Sequence, residues 1–180
     1  MNRFLARLLA AFLVAASIAG MSTVPAQAAD GTFLIYAAPQ RVGRCVDVPA
    51  ASLVVGKKIQ TWDCQYSPRK PGQTFRKWEE AAGGQVFGLR NTNSGLCLAG
   101  WAKGSQLTQE FCNANMPSRT MWRAWLADGT TNRYFLVNQV TGLCLAIPGG
   151  AITNGTWLVT WDCKMSPTDS AQDQLWTFVA

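Results

Sequence analysis

Beyond the first thirty residues, apolar positions fall in short alternating segments with no helical period. Phe33 to Tyr36, Val86 to Arg90, Tyr134 to Val137 and Trp157 to Trp161 are rich in β-branched and aromatic residues, and clusters of Gly or Asn bound them. Such alternation sets side chains on the two faces of a strand and leaves the bounding residues to turns. The pattern predicts an all-β chain.

The segments recur in a threefold order. Cys45 and Cys64, Cys97 and Cys112, and Cys144 and Cys163 stand 19, 15 and 19 residues apart. Gly43-Arg44-Cys45, Gly95-Leu96-Cys97 and Gly142-Leu143-Cys144 open the three units. Eight residues before the second Cys stands Gly56, Gly104 or Gly155, and five before it Ile59, Leu107 or Leu158. Gln73-Thr74-Phe75, Thr120-Met121-Trp122 and Gln174-Leu175-Trp176 follow. Landmarks kept in one order define three lobes, at approximately 31–82, 83–130 and 131–180. About four short strands cannot bury an apolar face alone, so the lobes should share one core around a pseudo-threefold axis. Gly56 and its counterparts sit where a hairpin would turn, because glycine accepts positive φ at little cost.

Residues 1–28 stand apart from the repeat. Arg3 and Arg7 precede a twelve-residue apolar run, Leu8 to Ala19, and Ala26-Gln27-Ala28 supplies a small-x-small cleavage site. These are the parts of a secretory signal peptide. The run falls short of the ~20 residues that cross a bilayer, and no later stretch is long and apolar enough to span one. A secreted protein, extracellular or periplasmic, is expected, with residues 29–180 as its mature domain. Six cysteines in an oxidising compartment point to disulfides. They admit fifteen pairings, and spacing alone does not choose among them. If each lobe closes its own bridge, the pairs are Cys45 with Cys64, Cys97 with Cys112 and Cys144 with Cys163, each stabilising by roughly 3 kcal/mol.

Composition removes much chemistry. The chain has no His, so Ser-His-Asp and Cys-His nucleophile systems and His-containing zinc sites are excluded. No acidic pair breaks the repeat to form a glycosidase dyad, so no enzyme is expected. The net charge of +6 becomes +4 once Arg3 and Arg7 are removed. Its basic pairs, Lys57-Lys58, Arg69-Lys70 and Arg76-Lys77, are scattered, as on a solvated face rather than a nucleic-acid stripe.

Cys45-Val46-Asp47-Val48, Ile59-Gln60-Thr61-Trp62-Asp63-Cys64 and the Gln-x-Trp at Gln174 to Trp176 carry a resemblance to a known family. The mature chain resembles the ricin B-chain-like lectins, also classed as a carbohydrate-binding module family, from about Gly31 to Ala180. That resemblance implies a β-trefoil of twelve strands and a role in binding glycans, galactoside-type or xylan-type, without cofactor or metal.

It also implies where a sugar would bind. A binding lobe of the family supplies an Asp two residues after the first Cys, a Gln and an aromatic four and two residues before the second, and an Asn beside the Gln of Gln-x-Trp. In the first lobe these are Asp47, Gln60, Trp62 and Gln73, with Gly72 where Asn is expected. The second lobe has Ala99, Thr108, Glu110 and Thr120 instead. In the third, Ala146 and Val159 replace Asp and Gln, while Trp161, Asp173 and Gln174 remain. One competent site is expected, in the first lobe. Plainer roles stand beside these: Trp78, Trp122, Trp125 and Trp176 as packing residues, Gln73 and Gln174 as structural groups, and Asn154-Gly155-Thr156 as a turn rather than a glycosylation acceptor.

A second reading follows from the two altered lobes. They resemble trefoil toxin subunits, such as the receptor-binding subunits of cytolethal distending toxins. Such a subunit would act in protein assembly or cell-surface docking, with Trp101 or Trp157 facing a partner polypeptide.

Overall fold

The computed structural model describes residues 31–38, 43–81, 83–115, 117–127, 132–166 and 169–180. The expected leader, 1–28, lies outside the described residues. The first lobe contributes β1 (Thr32–Ala37), β2 (Arg44–Asp47), β3 (Gln60–Asp63) and β4 (Phe75–Ala81). The second contributes β5 (Val86–Asn91), β6 (Cys97–Ala99), β7 (Thr108–Glu110) and β8 (Met121–Leu126). The third contributes β9 (Tyr134–Asn138), β10 (Cys144–Ala146), β11 (Thr156–Trp157), β12 (Val159–Trp161) and β13 (Trp176–Val179).

Six strands close a barrel. Going round it, β1 pairs β4, β4 pairs β5, β5 pairs β8, β8 pairs β9, β9 pairs β13 and β13 returns to β1, every pair antiparallel. Closure leaves no free edge in the barrel itself. Three hairpins, β2–β3, β6–β7 and β10–β12, hang from it at equivalent places. Their attachments are the pairs Tyr36 with Cys45, Arg90 with Cys97 and Val137 with Cys144. This is a β-trefoil.

The pseudo-threefold axis can be traced in single hydrogen bonds. Ile59 N–H donates to Leu107 C=O at 3.0 Å, Leu107 N–H to Leu158 C=O at 2.9 Å, and Leu158 N–H to Ile59 C=O at 2.9 Å. The ring is fully buried, and its side chains join the core with Val46, Leu98, Leu145, Trp122 and Trp176. Around it, Gly56 N–H donates to Gln109 C=O, Gly104 to Thr160 and Gly155 to Thr61, so each lobe's turn is tied to another lobe's hairpin. These glycines have φ of 79°, 76° and 81°, the left-handed region that disfavours any side chain.

The ring also explains the strand that alternation alone did not foresee. Trp157 to Trp161 reads as one strand, but at Leu158 the backbone turns to the axis. Trp157 pairs with Gln60 of the first lobe, whereas Val159 pairs with Ala146 of its own. Each lobe closes its own disulfide, Cys45–Cys64, Cys97–Cys112 and Cys144–Cys163, with Cα–Cα distances of 5.0 Å throughout. Trp122 and Trp176 are buried, their indoles donating to Leu98 C=O and Leu145 C=O. Trp125 departs from the packing role expected of it: at the outer end of β8 it is 53% exposed.

Candidate functional site

The register of the first hairpin builds the site. Asp47 ends β2 and lies directly opposite Gln60, which begins β3. Strand alternation then puts Trp62 on the same face as Gln60. All three line a cavity of about 450 Å³ whose other walls are Ala50, Ala51, Lys70, Pro71 and Gly72.

Two buried polar groups face each other there. Gln60 Nε2 donates to Asp47 Oδ2 at 2.8 Å, and the two residues are 8% and 5% exposed. The amide fixes the carboxylate's orientation, as a partially desolvated anion requires. Asp47 Oδ1 and Gln60 Oε1 accept no hydrogen bond from the described residues. Trp62 is half-buried, with Lys70 Nζ 5.8 Å from its ring centroid.

Gly155 of the third lobe backs this platform: a Cβ there would lie 3.9 Å from both Trp62 Cζ3 and Gln60 Oε1. Its turn is held by Asn154, whose Nδ2 donates to Asp63 Oδ2 while its Oδ1 accepts from Asp63 N–H. The Asn-Gly-Thr segment is thus a cross-lobe brace. A reading confined to one lobe at a time missed it.

Gly72, where the family pattern has Asn, has a geometric cause. Val48 N–H donates to Gly72 C=O at 2.9 Å, so the two backbones touch. A Cβ on residue 72 would stand 2.5 Å from Val48 C=O and 3.3 Å from Asp47 Oδ1. The wall is therefore bare backbone, and no amide side chain reaches the cavity from it.

Gln73 does not join the other three. It is fully buried, its Nε2 donating to Asp63 C=O and its Oε1 accepting from Gln65 N–H. Gln174 makes the same two bonds, to Asp162 C=O and from Lys164 N–H. In the second lobe the Thr120 hydroxyl replaces them, accepting from Asn113 N–H and donating to Asn113 C=O. Gln73 and Gln174 thus clamp the chain on both sides of the second cysteine of their lobes, and Thr120 holds the residue that follows it.

The second lobe fills its own site. Trp101 Nε1 donates to Thr108 Oγ1 at 2.8 Å, and Thr108 Oγ1 donates to Glu110 Oε1 at 2.6 Å. Arg119 lies over the Trp101 ring, 5.0 Å from its centroid. Thr108 is the counterpart of Gln60 and Arg119 of Gly72, so the indole sits between the two walls where the first lobe is hollow. In the third lobe the floor is Ala146 and Val159, and Trp161 stands 44% exposed.

Comparisons with known proteins agree with this architecture. The sequence profile of the ricin-type beta-trefoil lectin domain matches residues 35–176. A search of curated proteins by sequence finds no match. Among solved structures, the chain is similar to ThreeFoil, a designed 3-fold symmetric protein (TM-score 0.68, 21% identity, covering 84% of this chain and 99% of that one). It is also similar to the C-half of the earthworm R-type lectin, solved in complex with GalNAc (TM-score 0.59, 17% identity, 83% and 98% covered). A third likeness is to the cytolethal distending toxin of Actinobacillus actinomycetemcomitans (TM-score 0.61, 14% identity, 83% and 90% covered). At these identities the structures attest the fold, and the profile spanning all three lobes attests the family: the chain belongs to the ricin-type β-trefoil lectins.

Proposed function

We propose that this chain is a secreted carbohydrate-binding protein with one hydroxyl-reading site, formed by Asp47, Gln60 and Trp62 in the first lobe. The observation that carries the reading is the convergence of those three side chains on one cavity of about 450 Å³. A pyranose laid on Trp62 buries its C–H face against the indole. Its ring hydroxyls then donate to Asp47, and Gln60 both holds that carboxylate and offers its free oxygen. Hydrogen bonds to an ionised acceptor contribute about 1.5–3 kcal/mol each. Gln73 positions the segment that carries Trp62 without touching the sugar.

Binding without turnover is the matching expectation. Among the described residues the cavity is lined by one carboxylate, Asp47, whereas glycoside hydrolysis uses a pair. Galactosides and xylans are the glycans to test first. Trp62→Ala and Asp47→Ala should each weaken binding to the recognised glycan by about tenfold or more, a change of about 1.4 kcal/mol. If both variants bind like the wild type, the site lies elsewhere.

The reading as an assembly subunit rests on the two lobes without the Asp–Gln pair, and on Trp157, 37% exposed on β11. Trp101 no longer supports it, since that indole is engaged by Thr108 and Arg119. Co-purification of a partner chain that Trp157→Ala releases would favour assembly over glycan binding.

A further inference from the structure

The three junctions between lobes are equivalent in backbone and differ in the side chains they carry. At each, the glycine of one lobe's turn donates its N–H to the hairpin of another: Gly56 to Gln109 C=O, Gly104 to Thr160 C=O and Gly155 to Thr61 C=O. The residue before the glycine and the residue two beyond the acceptor therefore occupy matching places. They are Lys103 with Asp162, Asn154 with Asp63, and Val55 with Phe111. The first pair is an ion pair and the second a double hydrogen bond. Val55 and Phe111 can form neither.

The junction of the first and second lobes is left as an exposed apolar tip. Phe111 is 74% exposed and Val54 66%, and Leu53 and Val55 are exposed with them. Among the counterparts of these four at the other junctions, Ile152 is the one large exposed aliphatic. Lys57 and Lys58 follow the tip directly, residues 48–62 contain no acid, and neither lysine is in an ion pair among the described residues. Glu110, beside Phe111, already accepts from Thr108. The tip is apolar and cationic at once.

Its backbone is satisfied from within. Gln109 Nε2 donates to Ser52 C=O at 2.8 Å and to Val54 C=O at 2.9 Å, Val54 N–H donates to Ser52 Oγ, and Lys57 N–H donates to Val54 C=O. Gln109 is fully buried, so it holds the tip in one shape. Polar backbone groups paired in this way cost little to move from water toward a lipid interface. A second copy of the chain fits worse, because a two-fold contact through this patch would set two lysine pairs against each other. A protein partner would have to supply a pocket for each projecting side chain, whereas acyl chains admit any apolar tip.

We propose that Leu53, Val54, Val55 and Phe111 form a docking tip for an anionic lipid bilayer. The four side chains enter the boundary between headgroups and acyl chains, and Lys57 and Lys58 meet the lipid phosphates. This surface is separate from the Asp47 cavity and needs no sugar.

The test is flotation of the oxidised mature protein with sugar-free vesicles of phosphatidylcholine, alone or mixed with phosphatidylserine. Partitioning should be at least about tenfold stronger on the anionic vesicles, and added salt should weaken it. Lys57→Gln with Lys58→Gln should remove that tenfold preference, and Val54→Ser with Phe111→Ser, which leaves the charge unchanged, should abolish binding. All four positions lie at the surface, so thermal melts of these variants should match the wild type. A wild type that does not float with anionic vesicles, or floats equally with both kinds, overturns the proposal. So does binding that survives Val54→Ser with Phe111→Ser. The proposal also fails if Phe111→Ser dissolves a dimer in sedimentation velocity, or if the tip binds an acidic polypeptide in place of vesicles. Because the vesicles carry no glycan, none of these outcomes bears on the first-lobe site.

Discussion

Lobes one and two share a backbone down to individual hydrogen bonds and differ in what stands on it. Val48 N–H donates to Gly72 C=O in the first lobe, and Gly100 N–H donates to Arg119 C=O in the second, both at 2.9 Å. Both lobes carry the bridged cysteines, the axis residue and a side-chain clamp at the second cysteine. Yet one hairpin opens on a cavity with an oriented carboxylate, and the other is closed by Trp101. The scaffold and the site are thus set by separate residues. Buried backbone contacts preserve the lobe, while four or five side chains decide whether it is hollow.

That separation can be tested from its strongest element downward. Replacing both cysteines of a bridge by Ser should lower stability by roughly 3 kcal/mol in urea denaturation. The cost should be nearly equal for Cys45–Cys64 and Cys97–Cys112, because loops of 19 and 15 residues differ little in closure entropy. Markedly unequal costs would mean that the lobes are not equivalent scaffolds.

Gln73→Ala comes next. It removes two buried hydrogen bonds, and about 2 kcal/mol of stability should be lost in the same experiment. A sugar-contacting role would instead lower affinity and leave stability intact, so this variant separates clamp from contact.

Gly72→Ala tests the bare wall. Its Cβ would meet Val48 C=O at 2.5 Å, and backbone cannot yield as a flexible side chain does. Thermal unfolding should report a loss of about 1.5 kcal/mol, accompanied by weaker glycan binding. Trp101→Phe is the mildest change. It deletes the bond to Thr108 for about 1 kcal/mol and creates no site for galactosides, since Ala99 stands where Asp47 does. New galactoside binding by Trp101→Phe would show that the plug alone silences the second lobe.

Much of this was legible in the sequence. The paired cysteines, Gly56 with its counterparts, and Ile59, Leu107 and Leu158 each occupy a place that symmetry requires, so their spacing encodes three equivalent lobes around one axis, and the family resemblance adds the trefoil. Asp47, Gln60 and Trp62 were legible as a candidate site through the resemblance to the ricin B-chain-like lectins, and the pairing of β2 with β3 brings the three side chains to one cavity. What spacing could not carry was contact between lobes and contact between backbones. Asn154 and Gly155 support the Trp62 site from the third lobe, more than ninety residues away in sequence. Gly72 looked like a missing amide, and the reason lies in Val48, which no alternation connects to it. Gln73 carried a plausible contact chemistry, but its amide is engaged at both ends by backbone. Trp101 had no counterpart in the repeat, so nothing marked it as the group that fills its lobe.

The claim that the first lobe alone reads sugar hydroxyls is tested most directly by the eight tryptophan indole signals of the ¹⁵N-labelled mature protein. During titration with a galactoside or xylo-oligosaccharide that binds, the Trp62 indole should shift saturably while Trp101 stays fixed. Saturable binding with Trp62 unmoved, or with the principal shift at Trp101 or Trp157, would contradict the account.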